Sequence, residues 1–393
     1  MIYLLIFLNL RLSFVNLRFI DSYIKFDLHG VVMNNTFKKI HTSLNDSLQL
    51  NNIYQSCNQS YKIADLFTYQ HYSPKYKLFF NKESVGFVLE TPPITMSSEK
   101  MNTAINKLFK DLLPQDSRLQ VMLFADPCIE GCLSRWKELR ANSILQSIAQ
   151  KTFPYLKKYA FKSQDLPYVL RDFRCIISFS IKSNNNSIDL ENINQLKNQL
   201  QTRLEQLGLQ VLCWEAKELI SILNNIVNLD PTDDEQLNYH KQSIQNWNEL
   251  QHINHQITDI DNQLEVCDTE LKLNAGKIAI RTYQTAPIVG FWSLQSIGLM
   301  IGNEEDNSDF SQIPCPFIIH YELRMNKQRT QQPTTLSQED QQEGLGVILL
   351  APQEQLNVAE QILLNLSVSK KLQLQKNTFG HLPAFLCSMP MIN

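Results

Sequence analysis

The chain has 393 residues, of which 43% are hydrophobic and 19% are charged, a composition typical of a globular rather than a disordered protein. Its length gives room for roughly two or three domains. The formal net charge of -3 provides no broad basic surface, so the composition argues against non-specific binding of nucleic acid.

Residues 1–32 are apolar, but polar side chains interrupt them at Asn9, Arg11, Asn16 and Arg18. No uninterrupted apolar run reaches the roughly 18 residues that a membrane span needs. No basic region precedes the apolar part, so a secretory signal is also disfavoured. We predict that translation starts at Met33 and that residues 1–32 are not native. The alternative is a segment that lies on the membrane surface. Residues 33–60 form a polar N-terminal segment.

A β-β-α-β unit is predicted within residues 61–126. Two short apolar runs, 77–80 and 85–89, flank a four-residue polar loop, which indicates a hairpin. A helix follows, because apolar side chains recur at the spacing of one helical face at Met101, Ile105, Leu108, Phe109 and Leu112. Residues 119–124 form the returning strand. Together these elements predict a two-layer α+β sandwich.

A second unit with the order β-α-β-α is predicted within residues 173–227. A helix around residues 133–148 precedes it, followed by a connector over 151–170 that contains Pro154 and Pro167. The unit itself consists of a strand at 173–181, a helix at 193–207 that ends before Gly208, a strand at 209–214 and a helix at 215–227. The predicted fold class is α+β, with both small units inside one domain spanning residues 61–230.

The rest of the chain is predicted as a helical segment, 231–275, and a mixed α/β region, 276–393. One amphipathic helix over 239–269 is predicted from apolar spacings of three and four at Trp247, Leu250, Ile253, Ile257, Ile260 and Leu264. In the mixed region we predict strands at 277–283, 315–323 and 347–350 and helices at 287–300 and 353–366. Residues 326–343 are predicted to form a polar linker or exposed hairpin.

Nucleotide-binding motifs are absent from the sequence. A P-loop ends in Gly-Lys-Ser/Thr, but Gly276 and Lys277 are followed by Ile278. Gly344 and Gly346 begin a GxG pattern that lacks its third glycine, because Leu349 occupies that position. We predict a turn there, and no cofactor.

Histidine and cysteine pairs give equally little support for a metal or a nucleophile. His252 and His255 have a spacing that permits shared metal ligation, but a solvated helix explains them better. Cys128 and Cys132 lack a second pair of ligands, and Cys387 near His381 lacks an orienting third group. The eight cysteines are expected to be free thiols in a reducing compartment. No catalytic, cofactor-binding or metal-binding residue is therefore assigned.

The stretch from Ile63 to Arg140 resembles the start of the TraC family, the VirB-type ATPases of conjugative type IV secretion systems. The family's "DLLPYRDY"-like segment is matched at Asp65, Leu66, Phe67, Tyr69, His71 and Tyr72, and its "GFxLE" hairpin at Leu78, Phe79, Gly86, Phe87, Leu89 and Glu90. Further matches are Leu113-Pro114, the "LP…LR" segment at Leu166, Pro167, Leu170 and Arg171, and the "CPFI" strand at Cys315, Pro316, Phe317 and Ile318.

This resemblance implies an α+β N-terminal region that docks the motor at the inner membrane and packs between neighbouring subunits. An ATPase domain with a Walker A motif would follow, so the chain is interpreted as the front half of a TraC-like motor, truncated or split. The expected role is assembly of the DNA and pilus transfer machinery, without nucleotide hydrolysis by the chain alone. The expected location is cytoplasmic and peripheral at the inner membrane.

The resemblance also implies the partners: other secretion subunits, a separate C-terminal ATPase half and further copies of the chain, with no direct contact to nucleic acid. Two alternatives remain open at this point. The chain could be a soluble hydrolase or nuclease with scattered site residues, or a non-functional gene fragment.

Overall fold

A computed structural model describes residues 59–92, 112–129, 138, 143–158, 169–183, 189–229, 247–259, 261–285, 313–325, 341–369, 374–378 and 380–392. The predicted α+β class is confirmed. Within these ranges the strands form a 13-stranded sheet, and every pairing in it is antiparallel.

The strands, numbered in chain order, are β1 (Gln59–Lys62), β2 (Tyr69–Ser73), β3 (Leu78–Asn81), β4 (Ser84–Thr91), β5 (Ser117–Asp126), β6 (Asp172–Lys182), β7 (Leu212–Cys213), β8 (Gln263–Val266), β9 (Leu271–Leu273), β10 (Ile278–Thr285), β11 (Phe317–Met325), β12 (Gln341–Ala351) and β13 (Leu374–Lys376). Their order across the sheet is β1-β8-β9-β10-β12-β11-β5-β6-β4-β3-β2, while β13 pairs with β10 and β7 pairs with β4.

The helices are α1 (Ile63–Leu66), α2 (Ser143–Lys158), α3 (Leu190–Gln206), α4 (Ala216–Val227), α5 (Gln353–Ser369) and α6 (His381–Ser388). Asp189 begins α3 by accepting the backbone N–H groups of Glu191 and Asn192. A reciprocal capping box between Glu215 and Glu218 begins α4. Gly208 follows α3 with a φ of 85°, as its predicted post-helix position requires.

Helices cover both faces of the sheet, because successive side chains of a strand point to opposite sides. Face A carries Leu119, Val121 and Leu123 of β5, and these pack in one apolar core with residues of α3 and α5. Face B carries Met122 and Phe124, which pack in a second core with residues of α4 and α6. The predicted two-layer sandwich is therefore wrong, since the arrangement has three layers.

The two predicted sheet-and-helix units share a single sheet. Strand β5, from the first unit, pairs along its length with β6 from the second and with β11 from the later mixed region. Joining the strands in this way satisfies backbone groups that would otherwise stand unpaired at the edges of two smaller sheets. Phe87 and Phe179, opposite each other on β4 and β6, stack at 5.1 Å between ring centroids and tie the units together on face A.

Several predicted elements are confirmed, with boundaries shifted by a few residues. These are the β3–β4 hairpin, strands β5, β6, β10 and β11, and helices α3, α4 and α5. The run at 347–350 lies inside the longer strand β12, which already begins at Gln341 within the predicted linker. The strand predicted over 209–214 is only two residues long, Leu212–Cys213.

The amphipathic helix predicted over 239–269 is wrong where the structure describes it. Residues 253–256 form a single 3-10 turn, and residues 263–266 form β8. In β8, Leu264 and Val266 are buried while Gln263 and Glu265 are exposed, an alternation of period two that belongs to a strand. Buried Ile253 begins that turn and buried Ile257 directly follows it, and this spacing of four residues imitates a longer helical pattern.

The connector predicted over 151–170 is wrong in its first half, because α2 continues through Pro154 to Lys158. The helices predicted around 101–111 and 287–300 lie outside the described residues, as do residues 133–137 and Pro167. In the part of the chain that is described, no helix combines the length and the apolar content needed to cross a bilayer.

Candidate functional site

The two histidines considered as metal ligands lie on an exposed turn, and a third histidine, on β2, contacts one of them. His252 and His255 have ring centroids 5.9 Å apart, and the ring of His71 on β2 meets His252 edge-on at 4.7 Å. Across the described residues, no group of three or more His, Cys, Asp or Glu side chains is arranged to hold a metal ion. The three rings therefore form an aromatic contact between β2 and the turn.

The His381 ring contacts Thr282 of β10 and is not hydrogen-bonded to Cys387. Its Nδ1 accepts the backbone N–H of Thr282 at 3.3 Å and lies 3.0 Å from the Thr282 hydroxyl. The proton of the neutral ring therefore sits on Nε2, which has no partner. Burial lowers the pKa of His381 to about 4, with the charge of Lys376 acting in the same direction.

The cysteines that the core encloses are poor nucleophiles. Burial raises the pKa of Cys175 and of Cys315 to about 12, so neither forms a thiolate near neutral pH. Cys128 is half-buried, and Cys132, which was considered with it as a metal ligand, lies outside the described residues.

The glycines of the two incomplete nucleotide-binding motifs lie in a turn and in a strand. Gly276 has a φ of 85° in the turn before β10. Gly344 and Gly346 lie in β12, where they pair with Glu322 and His320 of β11. The predicted turn at these two positions is therefore a strand.

A strip of buried polar side chains crosses face B of the sheet, where apolar side chains would be expected. We call it the polar strip; its members are Tyr69 of β2, Asn81 of β3, Arg118 and Gln120 of β5, Ser178 of β6 and Glu322 of β11. Arg118 and Gln120 are 4% and 3% exposed. Burying an unpaired amide or charge costs about 1–3 kcal/mol or more, so each of these groups needs a partner.

The partner is the backbone of residues 387–392, which we call the C-terminal segment. Gln120 donates to the carbonyls of Cys387 at 2.7 Å and Met389 at 3.3 Å. The N–H of Met391 donates to Gln120 Oε1 at 2.7 Å and to the Ser178 hydroxyl at 3.1 Å. One glutamine side chain thus binds the segment through both its donor and its acceptor.

The remaining carbonyls of the segment are bound from the two sides of Gln120. Tyr69 donates to Pro390 at 2.5 Å, and Asn81 donates to Met391 at 2.8 Å. Arg118 donates to the carbonyl of Ile392 and, at 3.2 Å, to that of Cys387. Burial raises the pKa of Tyr69 well above its usual value, so its hydroxyl stays protonated and remains a donor.

Arg118 also pairs with Glu322 at 2.5 Å, and Arg324 contacts the same carboxylate. Burial alone would raise the pKa of Glu322, but the two guanidinium groups outweigh it and hold the pKa below its usual value. Beside this pair, burial lowers the pKa of His320 to about 4. The strip therefore contains a compensated ion pair and lies beside the neutral imidazole of His320.

Two further buried networks hold the sheet to its helices. On face A, Arg281 bridges Glu270 at 3.0 Å and contacts Glu360 of α5, to which Tyr283 donates at 2.8 Å. Near β4, Arg174 binds Glu90 through two bonds of 2.7 Å. All these side chains have protein partners, so the networks are structural.

Sequence reasoning missed the polar strip. The available signal was Arg118 and Gln120 in the run SRLQVMLF, where polar residues alternate with apolar ones inside a strand that is otherwise buried. That alternation normally indicates a solvent-facing side. Only the fold shows that another segment of the chain covers it.

The fold and the strip define an α+β protein whose sheet binds a segment of its own backbone through buried polar side chains. A family model described as TraC protein matches residues 63–342. This chain therefore belongs to the TraC family, as the motifs between Ile63 and Arg140 had indicated.

Among curated proteins, the chain is similar to Protein TraC of Escherichia coli (strain K12), with 23% identity over 187 residues. The match covers 43% of this chain and 20% of that relative, so the chain spans about a fifth of the relative's length. Two crystal forms of an alkyldihydroxyacetonephosphate synthase align with 80% and 75% of this chain and with 44% and 40% of their own. At 10% identity and a TM-score of 0.24, these two alignments carry no argument about fold or function.

Proposed function

We propose that this chain acts in conjugative transfer as the assembly and docking part of a TraC-like ATPase of a type IV secretion system. The observation that carries the proposal is the family match over residues 63–342. The buried polar groups support a structural role, because the networks around Arg118, Arg174 and Arg281 are bound by the protein's own side chains and backbone.

The chain works at the cytoplasmic side of the inner membrane as a peripheral protein, in contact with other secretion subunits. It associates with further copies of itself and with a separate ATPase half, and it does not contact the transferred DNA directly. The net charge of -3 is consistent with this arrangement, because DNA-binding surfaces carry an excess of basic residues.

In-cell crosslinking tests the docking role. A photo-reactive amino acid is placed singly at Ile148, Val358, Val368 and Leu250, which are 53%, 55%, 83% and 93% exposed. In donor cells that are transferring DNA, at least one position is expected to give a crosslink to an identified secretion subunit. If all four positions stay free of secretion subunits while the chain is folded and transfer continues, the docking role is wrong.

An assay of ATP hydrolysis tests whether the chain is a docking part and not itself the ATPase. The purified chain should show no hydrolysis above a protein-free blank, because no Walker A sequence is present. Hydrolysis that persists through purification and disappears on one Asp or His substitution would instead support an enzyme.

A further inference from the structure

The polar strip binds five backbone carbonyls and one backbone N–H of the C-terminal segment. The carbonyls of residues 387 and 389–392 each accept a hydrogen bond from a strip side chain, and the N–H of Met391 is bound by two of them. The donors come from β2, β3 and β5, and the acceptors for Met391 from β5 and β6. Four strands thus contribute to one binding surface for a short segment.

The side chains of the segment enter the core beside the strip. Met389 and Met391 are 0% exposed and Ile392 is 3% exposed, and all three belong to the apolar core on face B. Polar contacts hold the backbone of the segment, while its successive apolar side chains are buried in the core. Residues 389–392 form a turn in which the N–H of Ile392 donates to the carbonyl of Met389, so the segment is bound as a compact turn and not as an added strand.

Met391 adopts a conformation that the strip imposes. Its φ is 60°, in the left-handed region that side-chain-bearing residues other than Asn and Asp rarely adopt. Such strain persists only where surrounding contacts determine it, and both backbone polar groups of Met391 are bound by strip residues. The contacts of the strip therefore determine the backbone conformation of the segment at Met391.

We propose that the polar strip is a peptide-binding site, occupied in this chain by its own C-terminal segment, which closes over the sheet as a clasp. The ligand class is a short peptide that folds into a turn and carries apolar residues on both sides of a proline, as in the sequence MPMI. Recognition is mainly through the backbone, so the strip accepts other peptides of this pattern when its own segment is displaced. The inference does not depend on the proposed role in conjugation.

A complementation experiment on the full chain tests the proposal. The double variant Met389→Asp and Met391→Asp opens the clasp, because two carboxylates cannot enter the apolar core without a large desolvation cost. A fluorescent peptide with the sequence of residues 386–393, LCSMPMIN, is then titrated and followed by anisotropy. The opened variant is expected to bind it at least about tenfold more tightly than the wild-type chain, in which the segment competes.

A third substitution, Gln120→Leu, should abolish the binding of the peptide to the opened variant, because it removes all three Gln120 contacts to the segment backbone. The matched control is Asn254→Leu. It removes a buried hydrogen bond of the same kind, from a side-chain amide to the carbonyl of Ala64, away from the strip. The control should still bind the peptide. Absence of binding by a folded opened variant, or equal binding by the wild-type chain, would overturn the proposal.

A second measurement applies even if the opened variant does not fold. Labelling the 9 methionines with 15N gives a resolvable amide signal for Met391. Its hydrogen exchange should be slow in the wild-type chain and at least about tenfold faster in Gln120→Leu, and unchanged in Asn254→Leu. Rapid exchange of the Met391 amide in the wild-type chain would show that the segment is not seated, and the proposal would fail.

Discussion

Close packing between β11 and β12 depends on the absence of one side chain. A Cβ at Gly346 would lie 2.4 Å from His320 Cε1 and 3.0 Å from the carbonyl oxygen of Tyr283. His320 is buried and its ring cannot move away without displacing neighbouring side chains. At Gly344, two residues earlier in the same strand, no atom lies within 4 Å of the same added atom.

Gly346→Ala is expected to lower the free energy of unfolding by about 2 kcal/mol, through overpacking against His320. The control Gly344→Ala should change it by less than about 0.5 kcal/mol, since an alanine there meets open space. Chemical denaturation followed by circular dichroism measures both. Equal effects of the two substitutions would show that the His320 contact is not formed.

His320 should make the protein sensitive to acid. Its pKa is about 4 in the folded chain, below its ordinary value of 6.5, because burial disfavours the imidazolium. The unfolded chain therefore takes up a proton that the folded chain does not, and stability is lost as the pH falls from 6.5 towards 4. The loss is on the order of 3 kcal/mol at the lower end.

The substitution His320→Gln removes this titration. The difference in unfolding free energy between pH 6.5 and pH 4.5 should be smaller in His320→Gln than in the wild-type chain, whatever the effect of the substitution at neutral pH. Urea titrations at the two pH values provide the comparison. An identical pH dependence in both proteins would contradict a neutral, buried His320.

At the scale of single elements, the ion network of Arg281 joins β10 to the residue before β9 and to α5. The side chains of Arg281, Glu270 and Glu360 are 7%, 9% and 13% exposed. Breaking a buried network of this kind leaves uncompensated charge inside the protein. Exposed ion pairs, such as that of Lys217 with Glu215 on α4, are screened by water and contribute little.

Arg281→Met is expected to destabilise the protein by about 3–5 kcal/mol, because Glu270 loses its cation in a buried site and Glu360 keeps only that of Lys376. Lys217→Met, the control, should cost less than about 1 kcal/mol, since the Lys217 side chain is 55% exposed. Thermal or chemical unfolding distinguishes the two. A small effect of Arg281→Met would mean that water enters the network and screens it.

Helices and strands whose residues carry strong local signals could be predicted from the sequence. Those whose conformation depends on contacts with distant parts of the chain could not. The hairpin β3–β4 and helices α3 and α4 follow from turn residues, capping residues and apolar spacing close in sequence. Helix α2 contradicts its local signal, because Pro154 lies inside it although proline lacks the N–H that a helix interior uses. Residues 263–266 pair with β1, about 200 residues away, which no local window contains.

At the scale of the whole molecule, one sheet collects strands from the entire described chain. Neighbours β5 and β11 are separated by nearly 200 residues, and β1 lies beside β8. Composition and hairpin signals predict the α+β class, but they cannot predict which strands become neighbours. For the same reason the polar strip could not be predicted, because its members come from five strands and its ligand lies at residues 387–392.

A part in conjugative transfer is tested by the transfer frequency of donor cells from which the gene has been deleted. We expect transfer to fall to the background of a recipient-only mating, and to return when the wild-type gene is supplied in trans. The Gly344→Ala variant should restore it equally well, because that substitution leaves the fold intact. Transfer at the wild-type frequency in the deletion strain would contradict a role for this chain in conjugation.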